Sequence, residues 1–151
     1  MKSLVVYISV EHGNTEKVAR AIAEVIGADL KAVKDVDLGT LSDYQMIGVG
    51  SGIFKGKFHV GLLKFVNDLP PSRSQAFIFS TSGYGTDQYH DEIRKTLEGK
   101  GYRVIGDFAC KGWDTYGPFK LTGGINKKRP NEEDLMAAKE FGKNLLTKNI
   151  I

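Results

Sequence analysis

Ser3-Leu-Val-Val-Tyr-Ile-Ser9, followed at once by Val10-Glu-His-Gly-Asn-Thr15, is the stretch that decides the architecture. The first seven residues form a short apolar, β-branched run bounded by serines, the pattern of a strand buried on both faces. Asn14 or Thr15 then caps a helix whose apolar positions Val18, Ile22, Val25 and Ile26 recur at helical spacing until Gly27 stops it. A buried strand feeding directly into an amphipathic helix is half of a βαβ unit.

The rest of the chain repeats that unit. A weaker extended run at 29–33 is followed by a polar stretch, then by the strand Met46-Ile-Gly-Val-Gly50. Residues 59–68 read as a helix carrying Leu62, Leu63 and Val66, stopped by Pro70-Pro71. Ala76-Phe-Ile-Phe-Ser80 is the fourth strand. The helix after it is capped at Thr86 or Asp87, carries Tyr89, Ile93 and Leu97, and ends at Gly99-Lys-Gly101. Residues 102–110 form the fifth strand, and Pro130-Asn131 starts a last helix with Leu135, Ala138 and Leu145 facing inward. Strands alternating with helices predict one α/β domain over residues 1–151: a doubly wound, five-stranded parallel sheet of order 2-1-3-4-5 with helices on both faces. In such a sheet a ligand sits beyond the carboxyl ends of the strands, where the order reverses between strands one and three.

Composition narrows the classes of function. Hydrophobic residues are 41 % and charged residues 26 %, a globular balance. No apolar run reaches the ~18 residues of a membrane span, and no signal peptide is recognised, so a cytoplasmic location is expected. One cysteine, Cys110, excludes an internal disulfide and a multi-cysteine metal site, and reads as a buried small hydrophobe. His12, His59 and His90 have no metal-ligand spacing and read as surface or helix-end residues. A net charge of +3, from 21 basic and 18 acidic residues, is too small an excess to argue for nucleic acid. The 18 glycines, about 12 % of the chain against a usual ~7 %, gather after the strands, where backbone can approach a ligand.

Three strand-end segments carry candidate binding residues. Ser9, Glu11, His12, Gly13, Asn14 and Thr15 offer backbone N–H groups at a helix N-terminus with hydroxyl and amide side chains, which suits a phosphate held without lysine or arginine. Ser51, Gly52, Ile53, Phe54, Lys55 and Gly56 present an aromatic flanked by glycines, able to lie against a planar ring. Thr81, Ser82, Gly83, Tyr84 and Gly85 do the same after the fourth strand. Trp113 and Tyr116 follow the fifth strand, at the pocket border, on a partner surface or in ordinary loop packing.

The segment 9–15 resembles the phosphate-binding loop of the flavodoxins, usually Thr/Ser-x-Thr-Gly-Asn/Lys-Thr. Aligning Val10 to Thr15 in register puts His12 where the family has threonine; the alternative alignment leaves one extra position, filled by Glu11 and His12. The strand and helix order agrees with the family over nearly the whole chain. The resemblance implies FMN as cofactor, with residues 51–56 contacting the isoalloxazine and a peptide there turning to hydrogen-bond flavin N5 on one-electron reduction. It places Tyr84 at the ring and the 81–85 backbone at its pyrimidine edge. It implies an electron carrier rather than an enzyme, exchanging electrons with redox partner proteins. Flavodoxins are typically acidic, whereas this chain is basic, with Lys55 and Lys57 in the ring-contacting loop, so acidic docking surfaces are expected on the partners.

Two other readings stand beside it. Residues 50–59 are also similar to the small flavodoxin-like protoporphyrinogen oxidases, which implies an FMN-dependent oxidoreductase acting on a quinone or a protoporphyrinogen; the 112–130 stretch is short beside the insertion those enzymes carry. A flavodoxin-like scaffold without cofactor is the third. Other nucleotide and phosphate chemistries fail on residues. A G-x-G-x-x-G from Gly48 or Gly50 meets Ile53 or Lys55 at its last glycine, and a P-loop ending at Gly56-Lys57 meets Ser51 and Phe58. A receiver domain needs an aspartate where Gly50-Ser51 stands, and a cysteine-phosphatase loop needs arginine at Tyr116.

Overall fold

A computed structural model describes residues 1–10, 13–112 and 127–148. Six strands, β1 (Ser3–Ile8), β2 (Asp29–Ala32), β3 (Met46–Phe54), β4 (Lys57–Phe58), β5 (Gln75–Ser82) and β6 (Arg103–Lys111), alternate with four helices. These are α1 (Asn14–Ile26), α2 (Val60–Asp68), α3 (Asp91–Gly99) and α4 (Glu132–Lys148). The main sheet runs β2-β1-β3-β5-β6 with every neighbouring pair parallel, and β4 lies antiparallel on β3. Counted over the five parallel strands, this is the expected order 2-1-3-4-5. Two 3-10 segments, Val33–Asp35 and Leu38–Asp43, lead from β2 into β3. Among the described residues no helix is long and apolar enough to cross a membrane.

Alternation along the strands divides the interior into two cores. Leu4, Val6, Ile47, Val49 and Ile78 face one way and are covered by Leu62, Phe65 and Val66 of α2 and by Ile93 and Leu97 of α3. Val5, Met46, Phe77 and Phe79 face the other, under Val18 and Ile22 of α1 and Ala138 and Leu145 of α4. The central pairing explains two glycines. Gly48 pairs with Phe77 and Gly50 with Phe79, and each phenyl ring lies over the neighbouring glycine, so close that a Cβ on Gly48 would stand 2.1 Å from Phe77 Cζ. Neither ring has any solvent exposure.

Four boundaries differ from the sequence reading. β3 continues to Phe54 rather than ending at Gly50, because β5 also runs on to Ser82 and keeps pairing with it through Gly52↔Thr81. Ile53 and Phe54 then fold back onto Phe58 and Lys57 as a hairpin. Its turn residues Lys55 (φ 51°) and Gly56 (φ 78°) are both left-handed, as a two-residue type I′ turn requires. A lysine in that conformation costs about 1 kcal/mol. The third boundary is the start of α3 at Asp91, not at Thr86 or Asp87: the backbone N–H of His90 bonds to Asp87 O, closing a turn before the helix begins. The fourth is the cap of α1. Gly13, left-handed at φ 70°, holds that position, Asn14 is already helical, and Ser9 rather than the cap residue offers a side-chain acceptor to the first turn, at the Glu16 N–H.

The start of α4 is the most heavily bonded helix terminus described. Asn131 Oδ1 accepts from the Asp134 N–H at 3.0 Å while Asp134 Oδ2 accepts from the Asn131 N–H at 2.8 Å, a reciprocal capping box. Arg129 adds a two-pronged contact, with one guanidinium nitrogen 2.6 Å from Asp134 Oδ1. The arginine first, then the Asn131 N–H, hold the Asp134 carboxyl below its ordinary value of 3.8 against the opposing effect of burial. A depressed carboxyl stabilises the fold above its unfolded value, and that stabilisation is lost as pH falls through the folded one. Asp134→Asn is therefore expected to cost about 1–3 kcal/mol near pH 7 and to flatten the loss of stability below about pH 4. Urea midpoints that fall in parallel for variant and parent on acidification would refute this.

Candidate functional site

The carboxyl ends of β1, β3 and β5 converge where the sheet order reverses, with β1 between β2 and β3. Left-handed Gly13 leads into α1, whose first N–H groups have no partner within the helix. Ser9 Oγ accepts from the Glu16 N–H at 3.2 Å, closing one side of the loop. Thr15 is buried, and its Oγ1 lies 2.9 Å from Thr81 Oγ1 at the end of β5. In such a pair one hydroxyl donates to the other, which leaves the second proton for a further acceptor. The β6 end comes in over the same helix start: a Cβ on Gly112 would lie 2.6 Å from Asn14 Nδ2. A helix terminus capped by glycine and ringed by hydroxyl and amide groups and backbone is suited to an anion. Glu11 and His12 lie outside the described residues, as do Trp113 and Tyr116.

The β3–β4 hairpin forms a second wall. Ser51 is brought to the strand end, but its hydroxyl is spent inside the protein: it donates to Gly52 O at 2.7 Å and accepts from the His59 N–H at 3.1 Å. What residues 51–56 present is therefore backbone and the Phe54 side chain. The Phe54 ring stands edge-on to His59, with centroids 5.7 Å apart. Together with Val10, Val60 and Leu63 and the stems of Lys55 and Lys57 they line an open groove of about 590 Å³. Both lysines are exposed, and Val60 is 75 % exposed.

The connection after β5 is the third wall. Thr81 and Gly83 are buried, whereas Tyr84 projects outward with 71 % of its surface exposed. Ser82 Oγ accepts from the Gly85 N–H at 2.8 Å, and left-handed Gly85 (φ 64°) turns the chain. Cys110 is buried, and burial pushes its thiol up to about 12, so it is no nucleophile at neutral pH. His59 sits at the start of α2, its Nδ1 accepting from the Gly61 N–H.

His90 departs from the surface or helix-end reading. It does stand at the start of α3, but it has no solvent exposure and joins Ser80 and Asp107 in a buried row. The usable signal was a polar residue within each of two strands, Ser80 and Asp107, each needing a partner if buried.

Residues 4–115 match the family described as the flavodoxin domain. The chain belongs to the flavodoxin domain family. Over 148 residues it is 45 % identical to an uncharacterised protein of Methanocaldococcus jannaschii, covering 97 % of this chain and 99 % of that protein. Among solved structures it is similar to a flavodoxin from the domain Archaea, with TM-score 0.76, 22 % identity and 98 % of each chain covered. Flavodoxin 2 from Bacillus cereus, solved in the oxidised state, gives TM-score 0.70 at 18 % identity, over 98 % of this chain and 99 % of that one. At these identities the structural likenesses speak for the fold. The helix start at Asn14, the β3–β4 hairpin and the Tyr84 connection follow the carboxyl ends of β1, β3 and β5.

Proposed function

We propose that this flavodoxin-domain chain binds FMN noncovalently and carries electrons between protein partners. The observation that carries the proposal is the α1 N-terminus, turned by Gly13, which has no side chain to fill the cap position, and faced by the Thr15–Thr81 hydroxyl pair. These groups fit a phosphate monoester: Asn14 and Thr15, with the first N–H groups of α1, would hold it. Phe54 and Tyr84 would flank the ring, with the 52–56 and 83–85 backbone at its polar edges. Bound flavin supplies the one-electron chemistry; the protein orients it and sets its surrounding charge. An absorbance scan of the purified protein, followed by chromatography of the heat-released chromophore, tests this. FMN is expected. Mainly FAD, or no uptake of added FMN, would overturn it, and turnover of a quinone or porphyrinogen would move the reading from carrier to oxidoreductase.

Charge gives this reading a direction. Lys55 lies in the hairpin turn and Lys57 follows it, both exposed, in a chain of net charge +3. A cation ~8–10 Å from a developing negative charge interacts by roughly 1.5–2 kcal/mol at an effective dielectric near 20, less when exposed and salt-screened. On a scale where ~59 mV is tenfold, two such lysines raise the second one-electron potential by a few tens of millivolts. The same charges favour partners that dock through acidic surfaces. Lys55→Gln plus Lys57→Gln is expected to lower that potential in a redox titration; an unchanged or higher value defeats the electrostatic account.

A further inference from the structure

Ser80 from β5, His90 from the end of the next connection and Asp107 from β6 form one hydrogen-bonded row that the proposed electron transfer does not use. His90 Nε2 lies 2.7 Å from Ser80 Oγ, and Nδ1 lies 2.8 Å from Asp107 Oδ2. Arg94 of α3 stands 3.2 Å from the other oxygen of Asp107. Ser80 and His90 are fully buried, with the Phe58 ring 5.4 Å from the imidazole, centroid to centroid. The residue types are those of a hydrolytic triad, but a nucleophile must meet a substrate, and this hydroxyl is sealed inside the sheet.

The row fixes the state of the imidazole. An ionised carboxylate only accepts, so Nδ1 carries the proton, and bare Nε2 accepts from the Ser80 hydroxyl. In that neutral form each of these groups has its partner. A second proton would make Nε2 a donor, force Ser80 to accept, and strip the serine's own proton of its acceptor. Burial holds the imidazole below its ordinary 6.5, and the Arg94 cation acts the same way, while Asp107 and Asp87 oppose them. Asp91, next in sequence, is itself paired with Arg94, and β4 and β5 contribute the uncharged Phe58 and Ser80 against the ring.

We propose that neutral His90 is a positioning residue that pins the connection 83–89 to β5 and β6. This connection carries Tyr84, so what it touches rests on the FMN reading, whereas the pinning belongs to the protein alone. Its first end is fixed by Ser82, which accepts from Gly85 N–H through Oγ and from Gly112 N–H through its carbonyl. His90 is the second anchor. Between them, turn bonds run from the His90 N–H to Asp87 O and from the Gln88 N–H to Thr86 Oγ1, and Gly85 packs against the Cys110–Lys111 backbone.

Nitrogen-15 NMR of the imidazole and amide hydrogen exchange test the proposal on the protein as purified. The Nδ1–H tautomer is expected, taking up a second proton only below the ordinary imidazole range. In His90→Ala, exchange at 83–89 should rise at least about tenfold while β1 and α1 keep their protection; His90→Gln, which can still accept and donate, should recover part of it. Ser80→Ala, a milder change, should raise exchange in the same segment by less. An Nε2–H tautomer, titration near the ordinary value, or an equal rise in all elements would overturn the pinning. Failure to bind FMN with the exchange pattern intact would instead count against the cofactor reading.

Discussion

Gly48→Ala is expected to destabilise the protein by about 3 kcal/mol or more, the upper end of what over-packing costs. The added methyl would stand 2.1, 2.4 and 2.6 Å from three atoms of the Phe77 ring. The ring has little room to yield, because Phe79 and Phe141 pack against it with centroids 6.2 and 5.8 Å away. Gly50→Ala meets the Phe79 ring at 2.3 Å and belongs to the same class. Adding Phe77→Leu to Gly48→Ala should recover at least about 1 kcal/mol relative to the sum of the single changes, since the smaller side chain vacates the space the methyl needs. Denaturant midpoints of the four proteins give the coupling. A Gly48→Ala cost within about 1 kcal/mol, or strict additivity, would show that the sheet absorbs the methyl by shifting its backbone.

The second large effect is on affinity. Asn14→Ala plus Thr15→Ala should weaken FMN by roughly 100-fold or more while riboflavin, which lacks the phosphate, loses no more than a few-fold. Hydrogen bonds to a charged group contribute about 1.5–3 kcal/mol each, and the two residues contribute separately to that anion. Thr15 has a second role, because its hydroxyl pairs with Thr81 across the crevice. Removing it leaves Thr81 Oγ1 buried without that partner, a cost of about 1–3 kcal/mol to the fold. Riboflavin controls for it: damage to the fold lowers both affinities together, and loss of phosphate contacts lowers only one. Equal losses would mean that the α1 terminus does not hold phosphate.

The parts visible in the sequence were those written in runs. Apolar strands, helical spacing and stop signals such as Gly27 and Pro70-Pro71 place every element of the parallel sheet and each crossover helix. The start of α1 directly after β1 was legible because helix starts have recognisable residues. What was illegible depends on pairing across the chain. Lys57-Phe58 is too short a strand to show a period, and it exists because Ile53 and Phe54 supply its partners. That Gly48 and Gly50 lie under phenyl rings follows from the β3–β5 register, which no local pattern states. The helix-end place of His90 was legible, but its burial was not, because its environment is made by residues 10 and 17 positions away.

The left-handed lysine at the hairpin turn sets two evolutionary pressures against each other. Asparagine or glycine at position 55 would suit the type I′ geometry and relieve about 1 kcal/mol, so a search for sturdier variants would favour them. Every such winner would discard one of the two cations beside the crevice. A homologue under selection for heat tolerance alone would drift toward Asn-Gly at this turn and become less basic there. Lys55 thus holds a positive charge at this turn in a backbone that asparagine or glycine would adopt more easily.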